Sequence, residues 1–406
     1  MTRPACPTRL AIVLSHPTQY YSPWFRLLRA RPGLDLRVFY LWKFGVEYRR
    51  DPQFQTAFKW DVDLLSGYDS EFVPNVASDP GTHHIAGLRT PELTARLAAW
   101  NPGAVLIFGY KWISHLRAIA WARRRRVPIV FRGDSHFIGR PAPGRWKLLP
   151  LRWLFRQFAA VTYVGAANRA YFETLGVPRE RLFFAPHAVD DALFDPARSD
   201  HQAAAAALRA SLGLGPATKV VLFAGKLVPA KRPRELLEAF LEMAPADAAL
   251  VFVGEGEEKP ALREIVRNAA EAAGGSGPFV RFLPFANQTE MPSRYLLADL
   301  FALPSSGLYE TWGLAVNEAM RMGRPCLVSD RVGCQRDLVT HGETGWVFSA
   351  NESGALRGGL AAALAGLADP SRACAIRSAL ATRIAGYTYA RATEGLMAAL
   401  ASLPSG

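Results

Sequence analysis

The sequence predicts an α/β protein built from two Rossmann-like domains that face each other across a cleft. Three observations carry this. Short apolar runs alternate with amphipathic stretches along most of the chain, the pattern of buried parallel strands joined by helices. The alternation falters once, over residues 191–218, where a prolyl turn, a polyalanine helix and the turn Gly213-Leu214-Gly215-Pro216 read as a linker region, and then it restarts. The 406 residues, at about 150 per domain, accommodate two substantial domains. The expected boundaries are 1–198 for an N-terminal domain and 199–385 for a C-terminal one, with 386–406 a helix that crosses back to the first.

In the first half, residues 10–14, 36–41, 104–108, 128–131 and 160–164 are expected as strands, and 23–31, 90–100 and 113–125 as helices. The second half is read as strands at 219–224, 250–253, 280–283, 300–303 and 326–329. Helices at 233–243 (with Pro233 at its first position), 259–273, a short one through Arg294, and one from about 312 to 322 separate them. In such sheets ligands bind at the carboxyl ends of the strands, where loops enter helix N-termini. Chemistry is therefore expected in the segments that follow each strand.

Half of the residues are hydrophobic and 20% are charged, so each half can bury a core and wholesale disorder is excluded. The net charge is +13. Residues 1–200 hold 28 basic and 16 acidic side chains and residues 201–406 hold 20 and 19, so the excess belongs to the first half. The longest apolar stretch, 104–122, is broken by Lys111, His115 and Arg117, which excludes a spanning helix of about 18 residues. The apolar run at 11–14 is too short for a signal-peptide core. Cys6, Cys326, Cys334 and Cys374 form no C-x-x-C pair, which fits a reducing cytoplasm better than a disulfide scaffold or a zinc site. No G-x-G-x-x-G follows the first strand, which argues against a dehydrogenase.

Two segments of the second half have the composition of an anion site. Gly225-Lys226-Leu227-Val228-Pro229-Ala230-Lys231 follows a strand and opens a helix, so two ammonium groups flank a loop in which Gly225 lets a ligand approach the backbone. A second segment runs from Pro304 through Glu310-Thr311-Trp312-Gly313-Leu314 to Glu318. Glu310 stands before the predicted helix and Glu318 about two turns inside it, so both can face one crevice. The amides of Thr311 to Leu314 would point outward toward an anion.

That stretch, continuing through Gly323-Arg324-Pro325 and Gly342-Glu343-Thr344-Gly345-Trp346, resembles the donor-binding region of family 4 glycosyltransferases, retaining enzymes of the GT-B fold. The resemblance includes Gly225-Lys226…Lys231, Gly254-Glu255-Gly256, and the junction from Gly176-Val177-Pro178 to Pro186-His187-Ala188-Val189-Asp190. It implies a nucleotide-diphosphate sugar as donor substrate, no cofactor and no metal. Lys226 and Lys231 would neutralise the diphosphate, Glu318 would bind the ribose hydroxyls and Glu310 the donor sugar's hydroxyls. Gly225 and residues Thr311, Trp312, Gly313 and Leu314 would contact phosphate or sugar, and Phe285 the base. Fixed cations and oriented amides stabilise the charge that develops on a departing diphosphate. The one D-x-D, Asp61-Val62-Asp63, lies away from these motifs and reads as acceptor-lining or surface rather than as a metal site.

The first half would hold the acceptor. Its first strand runs into Ser15-His16-Pro17-Thr18-Gln19-Tyr20-Tyr21, similar to a bacterial subgroup of the family but without the glycine-rich loop of many members. His16, Thr18 and Gln19 are the candidate acceptor or loop residues, with the polar side chains standing in for bare backbone. After the strand at 128–131 comes Arg132-Gly133-Asp134-Ser135-His136, where related enzymes carry a catalytic histidine. Position points to Asp134 and residue type to His136, and both remain candidates. The adjacent pair His83-His84 shows no ligand spacing with other residues.

The basic excess gathers at Arg123–Arg126 and in Arg145-Trp146-Lys147-Leu148-Leu149-Pro150-Leu151-Arg152-Trp153-Leu154-Phe155-Arg156. Such a segment suits either an anionic bilayer surface or an ordinary basic helix with its aromatics in the core. The combined expectation is a cytoplasmic hexosyltransferase acting on a glycan or lipid-linked acceptor, with peripheral contact at the inner face of the plasma membrane and no nucleic-acid partner. A sugar-nucleotide epimerase and a basic nucleic-acid-binding protein are the competing readings.

Overall fold

A computed structural model of the chain describes residues 8–51, 54–140, 144–274, 279–307 and 310–404. Cys6, Leu308 and Tyr309 lie outside the described residues. In the first half β1 (Thr8–Leu14), α1 (Ser22–Arg29), β2 (Leu34–Tyr40), β3 (Arg49–Asp51), β4 (Thr56–Phe58), β5 (Asp69–Phe72) and α2 (Leu93–Trp100) come first. They are followed by β6 (Ala104–Phe108), α3 (Ile113–Arg124), β7 (Ile129–Arg132), α4 (Leu149–Phe155), β8 (Ala160–Tyr163), α5 (Ala166–Thr174) and β9 (Leu182–Phe184). A parallel sheet takes the order β5-β2-β1-β6-β7-β8-β9, while β3 and β4 form a separate antiparallel hairpin.

The second half contains α6 (Ser199–Ser211), β10 (Lys219–Ala224), α7 (Pro233–Met243), β11 (Ala248–Val253), α8 (Lys259–Ala272), β12 (Val280–Leu283), α9 (Met291–Leu297) and β13 (Leu300–Leu303). Then come α10 (Leu314–Arg321), β14 (Cys326–Ser329), α11 (Gln335–Leu338), β15 (Gly345–Phe348), α12 (Ala355–Ala368), α13 (Pro370–Ile384) and α14 (Tyr389–Ala401). Its sheet is parallel in the order β12-β11-β10-β13-β14-β15. In each sheet the order reverses beside the first strand, at β1/β6 and at β10/β13, and a crevice opens there beyond the carboxyl ends. The two-domain α/β architecture expected from the alternation is present.

The reading succeeded where both faces of a strand are covered. Every residue of β6, β11, β13 and β14 is buried, so each reads as an uninterrupted apolar run. It missed β3, β4 and β5, which form a hairpin and a sheet edge and bury only Phe58 fully, and it missed the short edge strands β9 and β15. The polyalanine helix expected within the linker region is α6, and it packs on α9. Helix α10 starts at Leu314 rather than near Trp312, because Gly313 takes φ +98° and stops the helix there.

Helix α14 returns to the first half. It buries Ala392, Leu396, Ala399 and Leu400 in the core formed by β1, β2 and α1. Trp24 Nε1 donates to Thr393 Oγ1 at 3.1 Å. A Cβ on Gly395 would stand 1.9 Å from the Phe184 carbonyl, so only glycine permits this contact between helix and β9.

A buried histidine, His115, and a half-buried one, His16, make the fold acid-sensitive. Burial lowers His16 to about 4 and His115 to about 3, against about 6.5 in an unfolded chain. Below pH ~6.5 the unfolded chain binds more protons than the folded one, so stability falls as pH falls. The contribution is fully present above pH ~6.5 and declines toward pH ~4 by roughly 1.4 kcal/mol per pH unit for each fully shifted histidine. The melting temperature is expected to drop between pH 7.5 and pH 5.0, and His115→Leu should make that drop shallower. An unchanged slope in the variant rejects the assignment.

Candidate active site

A cavity of about 330 Å³ lies where the carboxyl ends of the two sheets meet. The second domain lines it with Gly225, Lys226, Lys231, Phe285, Glu310, Thr311, Trp312, Gly313, Leu314 and Glu318. The first domain adds Gln19, Tyr20, Phe54, Trp60 and Asp134. Residues scattered over the sequence thus converge because both chains of loops leave their sheets at the same edge.

The lysine loop is held by backbone packing. A Cβ on Gly254 would lie 2.0 Å from the Gly225 carbonyl oxygen, and one on Gly256 2.3 Å from that of Leu227. The Gly254-Glu255-Gly256 motif therefore lets the loops after β10 and β11 touch, while Glu255 pairs with Lys259 at 2.5 Å. The turn Pro229–Lys231 is pinned by the hydroxyls of Ser305 and Ser306, which donate to the Ala230 carbonyl at 3.2 and 3.0 Å. The two ammonium groups meet carboxylates. Lys226 Nζ is 3.1 Å from Asp51 Oδ2, and Lys231 pairs with Glu310.

Glu318, 4% exposed, sits on the buried face of α10. Its Oε1 accepts from the Tyr20 hydroxyl at 3.0 Å and from Gln288 Nε2 at 3.1 Å, and its Oε2 from the Tyr295 hydroxyl at 2.7 Å. Burial pushes the carboxyl above its usual range, and these three donors counteract the rise. Tyr20 comes from the first domain, so this carboxylate joins the two halves. Gly313, the N-cap of α10, has no side chain to cap the helix, and Leu314 and Ala315 of its first turn line the cavity beside it. Trp312 is fixed by an Nε1 hydrogen bond to Asn317 Oδ1 at 2.8 Å.

The segment after β7 separates its two candidates. Asp134 lines the cavity, accepts from the Thr311 hydroxyl at 2.8 Å, and lies 3.5 Å from His187 Nε2, an electrostatic contact rather than a formed hydrogen bond. Enclosure pushes its carboxyl up, but His187 and Thr311 outweigh this and hold it below the usual carboxylate range. His136 is 7% exposed and stands behind the wall. Its Nδ1 accepts from the Ile138 amide at 3.1 Å, which leaves Nε2–H to donate to the Glu310 carbonyl at 3.4 Å. Both ring nitrogens are thereby engaged, and burial lowers its basicity. The residue favoured by type supports the Glu310 backbone, and the residue favoured by position faces the cavity.

The remaining candidates divide. Gln19 reaches the cavity, whereas Thr18 turns back toward the chain ahead of α1, its Oγ1 accepting from the Tyr21 amide at 3.2 Å. His16 packs edge-on against Trp42 and Phe44 and does not line the cavity. The D-x-D carboxylates have separate partners: Asp61 accepts from Thr289 of the second domain, and Asp63 from the amides of Leu65 and Ser66. One cluster of metal-ligating side chains exists among the described residues, the exposed Asp79, His83 and His84 on a surface loop. It brings in Asp79, which the spacing of the two histidines did not suggest. Tyr20, Gln288, Tyr295 and His187 were not singled out from sequence as site residues. Of these, the sequence pointed only to the segments of Tyr20, in the loop after the first strand, of Gln288, in the loop after the strand at 280–283, and of His187, in the junction motif.

Comparison with known proteins agrees with the fold. The profile of the family described as glycosyl transferases group 1 matches residues 205–375. A D-inositol 3-phosphate glycosyltransferase from Nocardia farcinica is 32% identical over 334 residues, covering 76% of this chain and 69% of the relative. A GDP-mannose-dependent alpha-(1-6)-phosphatidylinositol monomannoside mannosyltransferase from Mycolicibacterium smegmatis is 31% identical over 269 residues, covering 63% and 64%. Anabaena Alr3699/HepE, solved in complex with UDP and glucose, superposes with a TM-score of 0.70 at 18% identity, over 98% of this chain and 100% of that one. The fold and the relatives define a glycosyltransferase of the GT-B architecture. The chain belongs to the glycosyl transferases group 1 family.

Proposed function

We propose that the protein transfers a sugar from a nucleoside-diphosphate donor to an acceptor hydroxyl with retention of anomeric configuration. The observation that carries this reading is the interdomain cavity in which Lys226, Lys231 and the uncapped start of α10 face the Asp134 carboxylate of the other domain. The lysines and amides would hold the diphosphate and stabilise it as it leaves. Asp134, charged at neutral pH, would offset the positive charge that builds on the sugar ring or take the acceptor's proton. Glu310 and Glu318 would hold sugar and ribose hydroxyls, exchanging present partners for substrate. The charge is supplied by lysines, so catalysis is expected to continue in EDTA.

Retention is supported by the resemblance of the donor motifs to family 4 enzymes. The relatives that act on inositol phosphate or on a phosphatidylinositol mannoside support a polyol or lipid-linked acceptor, and a role in cell-surface polysaccharide or glycolipid assembly. Neither an epimerase nor a nucleic-acid-binding protein is favoured by these relatives. The test is a panel of UDP-, GDP- and ADP-sugars with and without inositol phosphate and lipid-linked glycans, with products analysed by NMR. An α-linked product from an α-linked donor supports the reading. An inverted product rejects retention, and epimerised nucleotide sugar without acceptor rejects transfer.

The same reading places the protein at the cytoplasmic face of a membrane. Trp146, Leu149 and Trp153 are 84%, 49% and 59% exposed, at spacings of three and four residues that put them on one helical face. Leu148 and Phe155 of the same segment face the core, so the two tryptophans lie on the opposite, outward side. Exposed Lys147, Arg156 and Arg123 flank them, the Arg123 guanidinium lying 5.8 Å from the Trp153 ring. Among the described residues no helix is long and apolar enough to cross a membrane. Such a face suits the surface of an anionic bilayer, with rings at the interface and cations at the headgroups. Co-sedimentation with phosphatidylglycerol-containing vesicles is expected to exceed that with neutral vesicles, and the double variant W146A/W153A to lose most of it, about tenfold or more. Equal sedimentation by the double variant refutes the contact.

A further inference from the structure

The segment that carries the hairpin of β3 and β4 belongs to the first domain, yet it is fastened to the second. Asn287 Nδ2 donates to the Lys59 carbonyl at 2.8 Å. The Thr289 amide donates to both carboxylate oxygens of Asp61, at 3.2 and 3.3 Å, and the Thr289 hydroxyl does so as well. These contacts clasp the end of the segment to the loop between β12 and α9. Ahead of the clasp, the hairpin lays Phe54 and Phe58 on Phe285, with ring centroids 5.0 and 4.8 Å apart. Its Asp51 carboxylate reaches Lys226, whose ammonium is also 5.0 Å from the Phe54 ring.

We propose that this segment is a working part of the donor site, with Phe54 forming, together with Phe285, the aromatic wall that recognises the nucleobase, and Asp51 the anion that Lys226 gives up for the donor's diphosphate. The proposal rests on the donor-site reading above and adds residues of the other domain to it. The chemistry follows from placement. Phe54, Trp60, Phe285 and Lys226 line the same cavity. A planar base entering beside the lysine therefore meets rings from both domains, and base–aromatic stacking is favourable whatever the base. A carboxylate on Lys226 competes with an incoming phosphate for the same cation. Because the hairpin and the clasp come from the acceptor domain, a bound nucleotide would tie that domain to the donor domain, and the acceptor side would sense whether a donor is present.

Isothermal titration with UDP, GDP and ADP, and separately with inorganic pyrophosphate, tests this. Phe54→Leu is expected to weaken the tightest-binding nucleoside diphosphate about tenfold while leaving pyrophosphate within about twofold, and Phe54→Tyr to retain the affinity. Asp51→Asn is expected to tighten both ligands several-fold. Equal losses of nucleotide and pyrophosphate affinity in Phe54→Leu, or no loss of either, overturn the role of Phe54. Unchanged or weaker binding in Asp51→Asn overturns that of Asp51. Lys231→Ala separates this proposal from its premise. If it leaves pyrophosphate binding intact, the donor site itself is misplaced. If it weakens pyrophosphate while the Phe54 and Asp51 variants bind like wild type, only the role of the hairpin fails.

Discussion

Lys231→Ala is expected to lower kcat/KM by about two to three orders of magnitude, the scale of removing one preorganised charge from a developing anion. The side chain is anchored where that charge would form. Its turn is held by the Ser305 and Ser306 hydroxyls on the Ala230 carbonyl, and its ammonium already meets the Glu310 carboxylate, 10% exposed. Removing the lysine has a second effect, because Glu310 is left charged and unpaired in a partly dry site. The double variant K231A/E310Q isolates the first effect. If lost charge on the diphosphate is the cause, activity stays low although the unpaired carboxylate is gone. Recovery of activity in the double variant would show that Lys231 serves only to neutralise Glu310, and would remove it from catalysis.

Asp134→Asn is expected to reduce kcat by about 10²- to 10⁴-fold, the range for a positioned acid–base or charge-stabilising group, with nucleotide affinity within about twofold of wild type. The substitution keeps the shape and the hydrogen bond from Thr311 but deletes the charge. Asp134 is held below the usual carboxylate range, so it stays ionised throughout the neutral range and should contribute no acidic limb to the pH–rate profile above pH ~4. His136→Gln should act differently, because His136 reaches the cavity only through the Glu310 carbonyl. It should disturb donor affinity and turnover together. Measuring KM and kcat for both variants decides between them. A larger kcat loss in His136→Gln than in Asp134→Asn would restore the histidine as the catalytic group.

The donor half was far more legible than the acceptor half, for a physical reason. The devices expected to hold a diphosphate are local, two lysines around a turn and the N-terminus of one helix, and each is contiguous in sequence. Even so, spacing could not show that Gly254 and Gly256 support a neighbouring loop rather than a ligand. It could not show that Asp61 clasps Thr289 across the cleft, or that Glu318 takes a hydroxyl from Tyr20, 298 positions away. The choice between Asp134 and His136 likewise turned on which ring nitrogens and carboxylate oxygens were already occupied.

The sequence by itself determined the two parallel sheets, because strands covered on both faces must be apolar throughout, and it singled out the loops at 225–231 and 310–318 as candidates for an anion site, because tight turns and fixed cations need particular residues at short spacing. Only the tertiary structure decided which side chains share the cavity and which stand behind it. It also decided that a hairpin of the first domain packs its phenylalanines on Phe285 and reaches Lys226, and that Trp146 and Trp153 face outward. Those outcomes depend on long-range packing, in which residues far apart in sequence compete for the same partner or the same space, and no local pattern encodes which of them prevails.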